Sequence, residues 1–202
     1  MPSTPMPSMP MTDLRIGPDG LRRCAWADSA DDYREYHDRE WGRPVHGEVA
    51  IFERITLEAF QSGLSWLTIL RKRPNFRRAF AQFDPAAVAA FGDDDVARLL
   101  GDAGIVRNRK KIEATIGNAR ALVTMSEAGE SLDELVWGHA PAARARPQRL
   151  SDVPSVTPES AALSRALKAR GFVFVGPTTM YAAMQACGLV DDHLAGCHAS
   201  AG

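Results

Sequence analysis

The 202-residue chain has no run of about 18 apolar residues, so no segment has the make-up of a membrane-spanning helix. It has no basic excess either, with 24 Lys and Arg against 25 Asp and Glu. Any contact with nucleic acid must therefore come from local patches. Only three cysteines occur, Cys24, Cys187 and Cys197. A set so sparse and odd argues against a disulfide framework and for a reducing compartment, with the thiols either buried or holding a metal. Strand signals are nearly missing: Phe172-Val173-Phe174-Val175 is the one candidate, too short to build a sheet alone. No internal repeat occurs. Residues 1–20 lack the basic start and apolar core of a secretory signal, and the first ten hold four Pro with no charge or aromatic. They are predicted to be a disordered tail, with Met11 as an alternative start.

What is present is a folded chain's composition, 45% hydrophobic and 24% charged. One domain over residues 21–202 is expected, and its pattern is all-α. Apolar residues at helical spacing run from Val49 to Gln61, closed by Gly63. Ser65 caps a helix that Pro74 should stop. Asp84-Pro85 and Thr157-Pro158 each place a cap before a Pro at the first helical position. Asp93 opens a short helix through Leu100. A long helix spans about Asn108 to Ser126, with Ile112, Ile116, Ala119 and Val123 on one face. Residues 139–158, with four Pro, read as a long loop. The Thr157 helix runs to Arg170, a connector follows over Gly171–Gly176, and Pro177 opens a last helix that ends at Gly188.

Trp26, Tyr33, Tyr36, Trp41 and Trp66 crowd into about 40 residues, leaving one Trp and one Tyr elsewhere. Such a cluster is either core packing or a cage for a flat or cationic ligand, whose charge the ring faces attract. Glu58 shares a helix face with Ile51 and Ile55. A carboxylate there needs a partner, either Arg54 or a neighbouring segment in an internal ion pair, or a ligand carrying positive charge or amide donors. His193 and Cys197 stand at i and i+4, which would bring them together on a helix. With Cys24 and His37 they make a Cys2His2 set suited to a closed zinc site joining the two ends of the fold. His46, His139 and His198 read as ordinary surface histidines. Arg71–Arg73 with Arg77 and Arg78, Arg107–Lys111, and Lys168 with Arg170 are basic runs that are either solvated faces or phosphate seats. The shape helix, Gly-apolar-x-x-x-Gly, helix is a helix-hairpin-helix candidate, its second helix N-terminus free to face a phosphate.

Five stretches carry a resemblance: CAWA at 24–27, YHDREWGRP at 36–44, LEAFQSGLSW at 57–66, GIVRNRKKIEATIGNAR at 104–120 and RGFVFVGPTTMYAAMQACGLVDDHLAGC at 170–197. Collinear over roughly residues 22–198, they closely resemble the 3-methyladenine DNA glycosylase I family, of the helix-hairpin-helix glycosylase superfamily. The resemblance implies a helix-hairpin-helix glycosylase fold and a monofunctional enzyme. Such an enzyme excises 3-methyladenine from alkylated double-stranded DNA by base flipping and hydrolysis, in base excision repair. It implies a structural zinc on Cys24, His37, His193 and Cys197. Glu58, Tyr36 and Trp66 fall on base-binding positions, with Glu58 the catalytic choice, and Trp26, Tyr33 and Trp41 line the remainder. Gly171 and Gly176, flanked by Lys168 and Arg170, match the DNA-binding hairpin. A cytoplasmic monomer is expected. Ala59-Phe60 departs from the family's Gly-Gln after the glutamate, and Pro177 also departs. The superfamily's activating Asp has neighbours here in Asp191 and Asp192, but neither is assigned as a base; Asp192, beside His193, would orient a zinc ligand. Two other readings compete: a zinc-stapled DNA-binding module, which leaves Glu58 unexplained, and a zinc hydrolase, which four protein ligands would deny an open position.

Overall fold

Residues 13–199 are described by a computed structural model. Its architecture is predominantly helical: a short hairpin of β1 (Leu14–Ile16) and β2 (Arg22–Cys24), then helices α1 (Asp31–Arg39), α2 (Glu48–Gln61), α3 (Trp66–Ala79), α4 (Pro85–Ala89), α5 (Asp93–Gly101), α6 (Arg109–Glu127), α7 (Leu132–Trp137), α8 (Pro158–Ala169) and α9 (Pro177–Ala186).

The caps act where the sequence places them. Ser65 accepts from the Thr68 amide, Asp84 from the Ala86 and Ala87 amides, Asn108 from Lys111 and Thr157 from Ser160. Each satisfies an amide that the first helical turn leaves without a partner. At the centre lies α2, packed against α3, α6, α7 and α9. Ile51, Phe52, Ile55, Leu57 and Phe60 are all buried, so this helix is core on most of its circumference.

Five expectations are corrected. The all-α reading gains a two-stranded antiparallel hairpin, Leu14 opposite Cys24 and Ile16 opposite Arg22. Residues 13–20 of the expected tail are therefore part of the fold, while residues 1–12 lie outside the described residues. The physical reason is a chain of charge-assisted bonds: Asp19 accepts from Arg23 at 2.8 and 2.6 Å, and Arg23, itself buried, also binds Asp38. Pro74 does not stop α3, which continues to Ala79. Pro costs about 3 kcal/mol inside a helix, and burial of Phe76 and Phe80 in the turns beyond it outweighs that. Phe172–Val175 forms no strand. Phe172 and Val175 are buried, Val173 and Phe174 are exposed, and Phe174 takes a positive φ of 58°. The buried amide of Asn118 on α6 pins this turn, exchanging two hydrogen bonds of 3.0 and 2.8 Å with the backbone of Val173. Finally, His193 and Cys197 sit in turns, not on a helix.

Lys111 also differs from both readings of its basic run, as a solvated face or as a phosphate seat. It is buried and donates to the carbonyls of Phe60 (2.9 Å) and Ser62 (2.6 Å), closing the C-terminal end of α2. Its charge holds the turn that joins Glu58's helix to Trp66's. Lys111→Met should therefore cost about 1.5–3 kcal/mol of unfolding free energy, the usual worth of a hydrogen bond to a charged group, read from a urea titration.

Candidate active site: an aromatic cavity beside a thiol and imidazole cluster

The clustered aromatics meet around one cavity of about 210 Å³, lined by Trp26, Tyr33, Tyr36, Trp41, Glu58 and Trp66. Trp26 packs on Tyr33 (ring centroids 4.9 Å) and edge-on to Trp41 (5.0 Å); Tyr36 lies 5.4 Å from Trp66. Rings in contact immobilise one another, so the walls are formed in advance of any ligand. Tyr33 and Tyr36 come from α1, Glu58 from the last turn of α2, and Trp66 from the first turn of α3.

Glu58 is 6% exposed, and no side chain among the described residues hydrogen-bonds it. Arg54, one turn earlier, donates instead to Glu40 at 3.1 Å. The internal Arg54–Glu58 ion pair that the sequence left open is therefore not made. Burial pushes the Glu58 carboxyl up to about 8, and the charge of Arg54 works against that rise. Burial also raises the hydroxyl of Tyr36 well above its ordinary range and that of Tyr33 to about 12, with the Glu58 charge adding to both. The indole N–H of Trp66 is buried without a hydrogen-bond partner among the described residues. The cavity thus joins an acceptor carboxyl, electron-rich ring faces and an unused donor, a combination fitted to a flat heterocycle carrying positive charge.

The opposite wall comes from chain far from residues 26–66 and was missed by the sequence reading. Leu150 and Val153 reach in from the long loop, Ala182 and Gln185 from α9, and Asp192 from the segment after it. Asp192 is buried and accepts from Tyr181 (2.6 Å), Gln185 (2.8 Å) and Arg144 (2.6 Å). It does not brace His193 as expected; Asp191 does that, 2.8 Å from Nδ1 of His193. The one available signal was Gln185 lying one turn after Tyr181 on a helix that ends near Asp192.

Behind the aromatic wall, the ligand atoms of Cys24, His37 and Cys197 lie within 4.8 Å of one another, all buried. Nε2 of His37 is 3.5 Å from the Cys197 sulfur, and its Nδ1 is 2.7 Å from Asp38. The Leu194 amide donates to the Cys24 sulfur at 3.4 Å. Hydrogen bonding to Cys24 and His37 holds the Cys197 thiol far below its usual range. His193 stands against this group without joining that set of three: its ring is 4.9 Å from that of His37, and its Nε2 is 3.4 Å from the His37 carbonyl oxygen. Gly42 makes this approach possible, since a Cβ there would meet the His193 ring at 2.9 Å and its φ is +75°. His198 is at the surface as expected, 3.0 Å from Asp38, and shares that carboxylate with His37.

The hairpin residues divide. Gly171 has φ +90° and is exposed, while Gly176 begins α9 with open space where a Cβ would go. Lys168 is exposed, but Arg170 is engaged by Glu130 at 2.6 Å. A groove lined by residues 61–65 with Thr178 and Thr179 of α9 reaches Glu58.

Residues 26–200 match the protein family described as Methyladenine glycosylase. The chain is 51% identical over 180 residues to DNA-3-methyladenine glycosylase 1 of Escherichia coli, covering 88% of this chain and 96% of the relative. Its fold is similar to a crystal structure of 3-methyladenine DNA glycosylase I (TAG), with a TM-score of 0.84 and 48% identity over 87% of this chain and 98% of that one. A second similar structure, on 3-methyladenine recognition by the enzyme from Staphylococcus aureus, gives a TM-score of 0.82 at 35% identity, over 87% of this chain and 95% of that one. Matched over most of its length in sequence and in fold, the chain belongs to the methyladenine glycosylase family.

Proposed function

We propose that this protein is a monofunctional DNA glycosylase of base excision repair, removing 3-methyladenine from alkylated double-stranded DNA. The observation that carries the reading is Glu58, a buried carboxyl set among five aromatic side chains, with no hydrogen-bond partner among the described residues. The names of its relatives supply the substrate. Residues 21–202 would act as one glycosylase domain, as a cytoplasmic monomer.

The chemistry follows from the substrate's charge. Methylation at N3 makes adenine cationic and weakens its glycosidic bond. Water attacks C1′, the C1′–N9 bond breaks, and its electron pair stays with the base, which leaves neutral; the attacking water loses the proton. Strong acid catalysis is unnecessary. The flipped base needs a pocket that recognises a charged ring, and paying to unstack it is least costly for a damaged base. Glu58 accepts hydrogen bonds from the base and attracts its charge, Tyr36 hydrogen-bonds it, and Trp66 stacks on it. In the empty cavity Glu58 is largely protonated at neutral pH; the arriving cation favours the carboxylate. The hairpin around Gly171 and Gly176, with Lys168, binds the phosphate backbone without reading sequence.

The donor set of Cys24, His37 and Cys197, with His193 at its edge, fits zinc: two thiols, imidazoles braced by Asp38 and Asp191, and an amide donated to sulfur. Bound there, zinc would supply a cross-link between the chain's two ends. Freshly purified protein should contain one zinc per chain. Cys197→Ser should lower the melting temperature while leaving the preference among methylated bases unchanged. Metal-free purified protein of full activity would count against the site.

Glu58→Gln keeps size and one acceptor but removes the charge. Losing a charge-assisted hydrogen bond to the base should cost about 1.5–3 kcal/mol, or roughly 10- to 150-fold in single-turnover excision. Stability should move the other way. A carboxyl raised from 4.5 to about 8 in the fold loses its stabilising protonation as pH rises through that interval. Wild-type protein should therefore lose melting temperature relative to Glu58→Gln between about pH 4.5 and 8, and level off above. A variant less stable than wild type at pH 8, yet normal in excision, would assign Glu58 to structure.

Strand-cutting relatives use a lysine amine to form a Schiff base with the sugar. None of Lys72, Lys110, Lys111 and Lys168 follows the hairpin, and Lys111 is committed to the end of α2. Borohydride reduction during turnover should trap no protein–DNA adduct.

A further inference from the structure

Glu40, just past α1, is contacted by two arginines. Arg73 of α3 binds it through both terminal nitrogens, at 2.5 and 2.8 Å, one to each carboxylate oxygen. Arg54 adds a third bond, 3.1 Å from Nη2. Two guanidinium groups against one carboxylate leave one positive charge uncancelled. The second terminal nitrogen of Arg54, Nη1, is buried with no hydrogen-bond partner among the described residues. A buried donor left unused calls for an explanation. Arg54 precedes Glu58 by four residues on α2, so the two side chains share a face.

We propose that Arg54 is a positioning residue for Glu58: its surplus charge, fixed by Glu40 and Arg73 on one side, keeps the carboxyl ionisable inside the aromatic cavity. The inference rests on the base-binding role of Glu58 given above. Arg54 cannot swing round to pair with Glu58 directly, because Glu40 holds its other nitrogen. It therefore acts through space, leaving the carboxylate oxygens free for a ligand. The other groups facing Glu58 push the opposite way or stay neutral. Tyr33 and Tyr36 on α1 and Cys187 after α9 are uncharged near neutral pH. Asp192 across the cavity is cancelled by Arg144. Lys111 at the end of α2 is held by the backbone carbonyls of Phe60 and Ser62. Arg54 is the cation whose charge acts on Glu58 against burial.

The test is Arg54→Met, which keeps the stem and removes the charge, beside Arg54→Lys, which keeps the charge. Single-turnover excision of 3-methyladenine from methylated duplex DNA is followed from pH 6 to 9. Removing a nearby opposite charge should move the midpoint of the Glu58-dependent limb of Arg54→Met up by about one unit. That amounts to roughly a tenfold loss below the midpoint, vanishing at high pH. Arg54→Lys should keep the wild-type midpoint, and a displaced midpoint there would overturn the proposal even if Arg54→Met fails to fold. An unmoved midpoint in Arg54→Met, or an equal loss at every pH, would also overturn it. The carbon-13 shift of the Glu58 carboxyl, titrated in the protein without DNA, reads the same displacement. Wild-type protein that releases no base would instead sink the proposed function, and the titration would still decide the role of Arg54.

Discussion

Keeping one carboxyl out of water is the constraint around which this structure is arranged. Glu58 sits in the last turn of a helix that is otherwise core, and a charge there is tolerated only if its surroundings are rigid and polarised in advance. Each neighbour contributes to that. The aromatic rings exclude solvent without offering a hydrogen bond. Arg54 supplies field without contact. Lys111 fixes the C-terminal end of the helix, just beyond Glu58, so the carboxyl cannot drift toward solvent. A protein optimised for stability alone would place leucine at this position. Retaining glutamate gives up folding energy for a site that is complete only with a cation in it, a trade expected where binding energy must be realised on one kind of ligand.

Much of this was legible in the sequence because it is local. Caps such as Asn108 and Thr157 act over three residues, and hydrophobic spacing over one or two turns, so the helices they govern could be placed. The aromatic wall was visible for the same reason, its five members falling between residues 26 and 66. What escaped was of two kinds. Helix α1, DDYREYHDR, carries too much charge to show an apolar period, although Tyr36 and His37 are buried. Helix α7 is too short for one, although Ser131 three residues before Glu134 marks its start.

The second kind is contact between distant segments. Nothing in the local pattern around Asp19 says that it braces Arg23, which braces Asp38, which orients His37. The i, i+4 spacing of His193 and Cys197 suggested a helix, whereas the chain brings them to their places through turns held by Arg146, which donates to the carbonyls of His193 and Ala199. The far wall of the cavity depends in the same way on the path of the 139–158 loop. Pro74 was misread because its local penalty is certain while the burial that overrides it lies in the tertiary fold.

The pairing of Cys24 with the segment around Leu194 joins residues 170 positions apart. During synthesis the aromatic half of the cavity is translated early, and Gln185, Asp192 and the second thiol come close to last. At about 5–20 residues per second, the nascent chain spends on the order of ten seconds with its tryptophans and one free thiol made but their covering wall absent. Within that interval the half-built cavity is a sticky, oxidisable surface rather than a binding site. The order of manufacture thus ties a closed cavity to the arrival of residues 182–192: until they are made, the chain carries Glu58 and the five aromatics, yet the cleft stays open on one side.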